Sequence, residues 1–450
     1  MSPRHFDAVS TAARRAAAGN RLAREALPAP SSALDTRSPA LTPLGPGAIL
    51  SGPLVGTSGA AVSTAIGARL RYGGAGVEVG LVARSGRRKS GRLGGLGGTW
   101  SKLTGRGSGS YIALDVGSSS IKLLEVRGPG GSPEILRAGL APVPEGALQN
   151  NTVQDVVAVS EVIRRLVEGL GVSARQVVTA VPGPSVIIKK ARLQVRPDED
   201  LETLLMIEAA NFIPESIDNV SLDYQVIRHE ETEVEVLLVA VRKDILAGFT
   251  MAISDAGLEP TIVDVDYFAL ENMYELNYES GPDDVVGLVN VGSRYSSINI
   301  VKGGVSTTTG DVQAGGHEIT DTLVSSLGLS YDDAERAQAG ESLGAELDPK
   351  VKAIVERGVD ELADAINQSL RFLCRTASDD PLQAVFVTGG GARIPGLIDR
   401  LGARLETPVE MANPFARVQV GRHLDAVALE EMGPSLGVAV GLGTRRPGDA

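Results

Sequence analysis

Apolar and polar positions fall into register at Tyr111, and from there the chain reads as strands and helices. In YIALDVGSSSIKLLEVRG, an apolar run over 112–116, a Gly-Ser turn and an alternating run over 121–126 predict a hairpin. A third strand is predicted over 134–141. Val153, Val156, Val157, Val159, Ile163, Leu166 and Val167 recur at helical spacing and predict a helix over 152–170. The β-branched run 176–181 then stops at Pro-Gly-Pro, which cannot continue a strand. Strand, strand, strand, helix, strand suits a mixed α/β sheet. The same pattern returns in VGLVNVGSRYSSINIVKGG, residues 286–304, where Gly292 matches Gly117 and Asn290 matches Asp115 at a constant separation of 175 residues. A strand over 305–309, helices and a strand over 384–388 follow. Duplicated halves of this kind predict two lobes with a cleft between the equivalent turns.

Between the halves the repeat is interrupted. Residues 185–194 read as a strand and 199–211 as an amphipathic helix broken at Pro214. Strand patterns cover 222–228 and 234–242, and a helix covers 244–256. This is an α+β insertion in the first half, over 185–250.

Residues 1–109 lack sustained periodicity and are rich in Gly, Ala, Ser, Pro and Arg, a composition that does not bury enough apolar surface to offset chain entropy. They read as a disordered extension or as upstream sequence from a misplaced start. The uncharged stretch 38–68 contains four prolines and six glycines, which argues against a spanning helix of roughly 20 apolar residues. RRKSGR, 87–92, reads as a solvated basic stretch, with anionic lipid or nucleic acid as the alternative. The net charge of −12 divides unevenly: residues 1–110 carry 15 Lys/Arg and 4 Asp/Glu, the rest 28 and 51. An acidic folded part argues against a general nucleic-acid surface. The single Cys374 excludes an internal disulfide, and His5, His229, His317 and His423 are too scattered to suggest a metal site.

Three glycine-rich turns carry the candidate chemistry. In the first, Asp115-Val-Gly-Ser-Ser-Ser-Ile-Lys122, Gly117 permits a sharp turn and close approach of a ligand. Ser118, Ser119 and Ser120 can donate to phosphate oxygens, and Asp115 can hold Mg²⁺, directly or through water. Lys122 can neutralise phosphate charge or turn to solvent. The second turn places Gly292 and Ser293 after Asn290. The third, Thr388-Gly389-Gly390-Gly391-Ala-Arg393-Ile-Pro395, follows a strand and opens a helix with Pro395 in its first turn. Three successive glycines let the backbone lie flat against a ligand such as an adenosine. Taken singly, each turn is compatible with an ordinary loop.

In this order the three turns resemble the phosphate-1, phosphate-2 and adenosine motifs of the actin/Hsp70/sugar-kinase superfamily. More narrowly, LDVGSSSIKLLEV, AVPG, IEAANFIPESIDNVSLDYQVI, VRKDILAGFTMAISDAGLEPTIVDVDYFALEN, GGHEITDTL, VTGGGARIPGL and PSLGVAVGLGTR resemble the PilM family of type IV pilus assembly proteins and its relative FtsA. That resemblance, over 111–446, implies a duplicated ribonuclease-H-like, two-lobed α/β fold with an inserted α+β subdomain. Its parts are a first lobe at 111–184, the 1C-like insertion at 185–250, a return and interlobe connection at 251–284, a second lobe at 285–430, and a C-terminal helix at 431–446 packing back on the first lobe. It implies ATP with Mg²⁺ as ligands, with Gly315 and Gly316 near the nucleotide. It also implies that Glu335, in Ala334-Glu-Arg-Ala-Gln338, holds the ribose, Gln338 standing where the family has Lys. Asn290 replaces the usual Asp of the second phosphate motif, so slow or absent hydrolysis is expected. The implied partner is the cytoplasmic tail of a PilN-type inner-membrane protein in a groove that Phe212, Ile213 and Pro214 could line, unless they pack the insertion's own core. PilO, the pilus motor ATPase or its platform, and self-association are further implied partners. Location is expected to be cytoplasmic, touching the inner membrane only through partners. An FtsA-like division protein is the alternative, although the closing GLGTRRPGDA lacks the apolar face of a membrane-targeting helix. A sugar kinase would need a catalytic Asp motif that the sequence does not display.

Overall fold

A computed structural model describes residues 68–71, 78–81, 109–128, 133–195, 201–230, 233–377 and 380–445. Of the N-terminal extension, only the antiparallel pair Ala68–Arg71 and Glu78–Leu81 is included. The basic stretch 87–92 and most of the uncharged stretch 38–68 lie outside the described residues.

The first lobe opens with the expected hairpin, β1 (Tyr111–Val116) and β2 (Ser120–Arg127), extended antiparallel by β3 (Glu134–Pro142). Helix α1 (Val156–Gly169) starts later than its apolar spacing suggests. Thr152–Val153 is spent pairing with Leu148–Gln149, and Asp155 then caps the helix by accepting from the Ala158 amide at 2.9 Å. Strand β4 (Gln176–Val181) lies parallel to β1.

The insertion follows: β5 (Val186–Gln194), α2 (Leu201–Phe212), β6 (Val220–His229) and β7 (Glu233–Arg242), with the strands ordered β6-β7-β5 and all antiparallel. Ala191, Leu193, Leu205, Val234, Val236 and Leu238 form its own core. Helix α3 (Lys243–Asp255) returns the chain: Leu246, Phe249, Ala252 and Ile253 pack in the first-lobe core with Val159 and Ile163 of α1. Residue 250 therefore falls inside a helix that belongs to the lobe. Strand β8 (Glu259–Val265) joins the sheet parallel to β4. It runs directly into α4 (Asp266–Asn277), which is buried along most of its length.

The second lobe repeats the plan. Strands β9 (Val285–Val291), β10 (Ser296–Lys302) and β11 (Val305–Val312) are antiparallel neighbours. Helices α5 (His317–Leu327), α6 (Tyr331–Gln338) and the 30-residue α7 (Asp348–Ala377) precede β12 (Ala384–Thr388), parallel to β9. After α8 (Leu397–Leu405), β13 (Val409–Met411) lies parallel to β12. The first sheet runs β3-β2-β1-β4-β8 and the second β11-β10-β9-β12-β13, the same order with the same strand directions. This is the duplicated two-lobed α/β fold with an inserted α+β subdomain expected from the sequence.

The chain then goes back. Strand β14 (Gln419–Val420) adds to the first sheet beside β3, so the return begins before residue 431. After α9 (Ala426–Met432), helix α10 (Gly437–Leu442) lies on α4 and β1, with Val438, Ala439, Val440 and Leu442 buried among Tyr111, Ala113, Ala269 and Met273. The Tyr111 hydroxyl donates to the Gly443 carbonyl at 2.6 Å. Arg445, 1% exposed, pairs with fully buried Asp264 of β8 at 2.7 Å. No helix among the described residues is long and apolar enough to cross a membrane.

Candidate functional site

The equivalent hairpin turns are built alike because each places a glycine directly after its first strand. The Gly117 amide donates to the Ser120 carbonyl at 3.1 Å, and the Gly292 amide to the Tyr295 carbonyl at 3.0 Å. A methyl at Gly292 would stand 2.5 Å from that carbonyl, so glycine is required there. Both turns line one cavity of about 350 Å³.

On the first-lobe side the cavity is lined by Asp115, Gly117, Ser118, Ser119, Ser120 and Lys122. Asp115 and Lys122 sit opposite each other in the β1–β2 register, and Lys122 Nζ lies 3.1 Å from Asp115 Oδ2. The ammonium folds under the turn, where a methyl at Gly117 would approach it to 2.7 Å. The second lobe supplies Asn290, Gly292, Ser293, Gly316, Glu335 and the third turn's Gly389, Gly390, Gly391 and Arg393. Gly389 adopts φ +91°, and a side chain there would overlap the Val291 carbonyl. The glycine run closes as a short 3₁₀ turn, Gly390–Arg393, and Pro395 stands in the link before α8 rather than inside its first turn.

Gly315 is the expected site residue that the structure keeps out of the cavity. It packs on the back of the second turn, where a methyl would overlap the Ser293 carbonyl, and it lines a separate small cleft with Glu318 and Arg357. Its neighbours explain this. The Gly316 and His317 amides donate to the Gly292 and Ser293 carbonyls at 3.1 and 2.9 Å, so the start of α5 braces the turn instead of offering free donors to a ligand. Gln338 has a similar bracing part. Its Nε2 donates to the Gly316 carbonyl at 2.6 Å and its Oε1 accepts from the Thr320 hydroxyl at 2.8 Å, tying α6 to α5. Glu335, one turn earlier on α6, lines the cavity, and partial burial raises its carboxyl above the usual range.

Several lining residues escape sequence reasoning. Asp266 starts α4 at the cavity floor, where Oδ1 accepts from the Gly183 amide at 2.8 Å and Oδ2 from the Tyr295 hydroxyl at 3.0 Å. Complete burial, with the negative charge of Asp311 next in importance, pushes its carboxyl up to about 8, so it is mostly neutral at pH 7. Asp311 is itself raised to about 6 by burial and accepts from the Tyr267 hydroxyl. Asn150 and Asn151, both at positive φ, line the rim, and their Asn-Asn turn chemistry is the signal that could have been read. Arg294 and Ser435 also line it; Ser435 comes from the returning C-terminal segment and carries no local motif. Among the described residues no three His, Cys, Asp or Glu side chains converge as a metal site would.

The insertion disposes of its expected groove residues differently. Ile213 is buried with Ala209, Val220 and Ala240, and Phe212 packs on the core around Leu205, so both serve the subdomain interior. Pro214 is exposed. Among the described residues of the insertion, Met206 and Ile207 of α2, 48% and 65% exposed, are the large apolar side chains presented outward.

Residues 113–447 match the family described as type IV pilus assembly protein PilM. Cell division protein FtsA of Bacillus subtilis is 22% identical over 369 residues, spanning 71% of this chain and 82% of FtsA. Ethanolamine utilization protein EutJ of Escherichia coli is 28% identical over 147 residues, 33% of this chain and 46% of EutJ. A solved structure of a PilM-PilN type IV pilus biogenesis complex aligns with a TM-score of 0.66 and 26% identity, covering 75% of this chain and 99% of that one.

Proposed function

Because this chain belongs to the PilM family of type IV pilus assembly proteins, we propose that it is a nucleotide-responsive scaffold, binding ATP between its lobes and the cytoplasmic tail of a PilN-type membrane protein at its inserted subdomain. The observation that carries the nucleotide half is the single cavity reached by all three glycine-rich turns. Its size suits a nucleoside triphosphate. Ser118, Ser119, Ser120 and Ser293 with the turn amides would grip phosphates, Gly389–Gly391 would face the nucleoside, and Glu335 would accept from ribose hydroxyls. Magnesium enters this reading only through Asp115.

Turnover is slow or absent. Hydrolysis needs a group that aligns and activates water. The carboxyl at the floor, Asp266, has both oxygens engaged and is mostly neutral, and Asn290 adds no charge. The chain therefore acts by holding nucleotide rather than by consuming it.

The partner half is supported by the similarity to a PilM-PilN complex and by the outward apolar side chains of α2. The protein would then sit at the inner membrane through that partner and pass its state to the pilus motor, with PilO and self-association as further contacts of the assembly. The test is retention of the purified chain on an immobilised peptide copying a PilN tail, with and without ATP. Binding that ATP changes, and that Gly117→Glu makes insensitive to ATP, supports the whole reading. Binding indifferent to ATP removes the switch and leaves the docking. Absence of binding in both conditions removes the docking.

A further inference from the structure

We propose that this chain binds its nucleotide without needing a divalent cation, the Lys122 ammonium taking over the charge neutralisation that magnesium ordinarily provides. The inference rests on the nucleotide reading above and narrows its ligand to the metal-free nucleoside di- or triphosphate.

A protein-held Mg²⁺ asks for oxygen ligands in near-octahedral array, with one or two carboxylates besides the phosphates. Three carboxyl side chains line the cavity; two are already engaged by protein groups, and the third, Glu335, is the candidate for the ribose. Asp115 is ion-paired to Lys122 at 3.1 Å, with both side chains largely buried at 17% and 13% exposure. Directly opposed strand positions set that pair, so it does not depend on a mobile loop. Asp266 accepts from Gly183 and Tyr295 and lies deep in the floor. Glu335 stands on α6, with Gln338 and Ala339 lining the cavity beside it. On the second-lobe side, the position equivalent to Asp115 is Asn290, whose amide carries no charge to hold a hydrated dication.

The cationic side is well supplied. Lys122, Arg294 and Arg393 all line the same cavity. Lys122 lies under the first turn, beside the serine groups that would grip phosphate, and an ammonium offers three donors and a compact charge to phosphate oxygens. A phosphate arriving at that turn would find a positive charge already in place, held by Asp115 from behind.

The experiment is titration calorimetry of the full chain, freed of nucleotide, with ADP and ATP in excess magnesium chloride and in excess EDTA. Affinities that agree within about tenfold support the inference, and a loss greater than about tenfold in EDTA overturns it. Lys122→Met is expected to weaken binding in EDTA by more than tenfold and to regain part of it with magnesium, because Asp115 is then unpaired. Wild-type affinity of Lys122→Met in EDTA overturns the inference. A circular-dichroism melt checks that this variant folds, and if it does not, the wild-type comparison decides alone. Asn290→Asp is expected to make binding rise with magnesium. Binding in neither buffer fails the nucleotide reading itself, whereas binding only with magnesium fails this inference and leaves that reading intact.

Discussion

Individual side chains at the cavity are held by backbone geometry that tolerates little change. Gly389 combines φ +91° with direct abutment on the Val291 backbone. Gly389→Ala is expected to destabilise the protein by about 2 kcal/mol or more, since both the dihedral and the contact oppose a side chain, and to abolish nucleotide binding. Chemical denaturation and a nucleotide titration measure the two losses. Asp266 makes a pH-dependent prediction. Its carboxyl is raised to about 8, so the folded state holds a proton that the unfolded chain has released above its ordinary value near 3.8. Stability therefore falls as pH rises from about 4 to about 8 and levels off above that, by at most about 1.4 kcal/mol per pH unit for this group. Glu271, buried and also raised to about 8, adds a slope of the same sign. Melting curves of wild type and Asp266→Asn between pH 5 and 9 should diverge in favour of the variant as pH rises; parallel curves would refute the assignment. At this scale the glycine turns were legible because only glycine serves them. Asp266 was not, because a carboxyl in a run of apolar residues shows its role only once Gly183 and Tyr295 converge on it from distant parts of the chain.

Elements with one wet face were the easiest to read from their spacing. Helix α7 turns Val351, Val355, Val359, Leu362, Ala363, Ile366, Leu370 and Leu373 inward, a stripe along one face of its 30 residues. Leu370 is fully buried and packs against Gly287 of β9. Leu370→Ala should cost about 3 kcal/mol by denaturant titration, and a cost below about 1 kcal/mol would mean that α7 does not pack on the second sheet as described. Helix α4 is the contrary case. Tyr267, Phe268, Ala269, Leu270, Met273 and Tyr274 are all buried, so no polar stripe marks a period. The start of α1 departs from its spacing for a local reason: Val153, one residue of the helical series, is taken with Thr152 into a strand pair before the Asp155 cap. In the insertion, Phe212 and Ile213 look like surface apolar residues near a helix break. Which face of that break turns inward is decided by Val220 and Ala240 on β6 and β7, beyond the reach of helical periodicity.

Whole-molecule organisation was legible as far as the duplication went, since two Gly-Ser hairpins in register announce two similar sheets. The closing segment was not, because a pairing between residues 181 positions apart leaves no local trace. Arg445 and Asp264 form that pairing without solvent, and burial raises the Asp264 carboxyl against the pull of the arginine. Removing the cation alone leaves a buried carboxylate uncompensated. Arg445→Met is therefore expected to destabilise by about 3–5 kcal/mol, and the double variant Arg445→Met/Asp264→Asn to recover most of that loss. Thermal or chemical unfolding of the two variants decides it, equal losses in both being the contrary outcome. Nucleotide should raise the melting temperature in proportion to the logarithm of its concentration above Kd, as any ligand of the folded state does.

That long-range pairing also orders events during synthesis. The first lobe is translated before the second, but its β14 neighbour, its α10 cover and the counter-charge for Asp264, 181 residues further on, are all encoded after the second lobe. Nascent β1–β4 therefore has α4 on its apolar sheet face but lacks α10 while the second lobe is translated. A chain halted at residue 410 would lack the strand, the helix and the counter-charge, so the segment from Gln419 to Arg445 acts as a late checkpoint on the completeness of the first lobe.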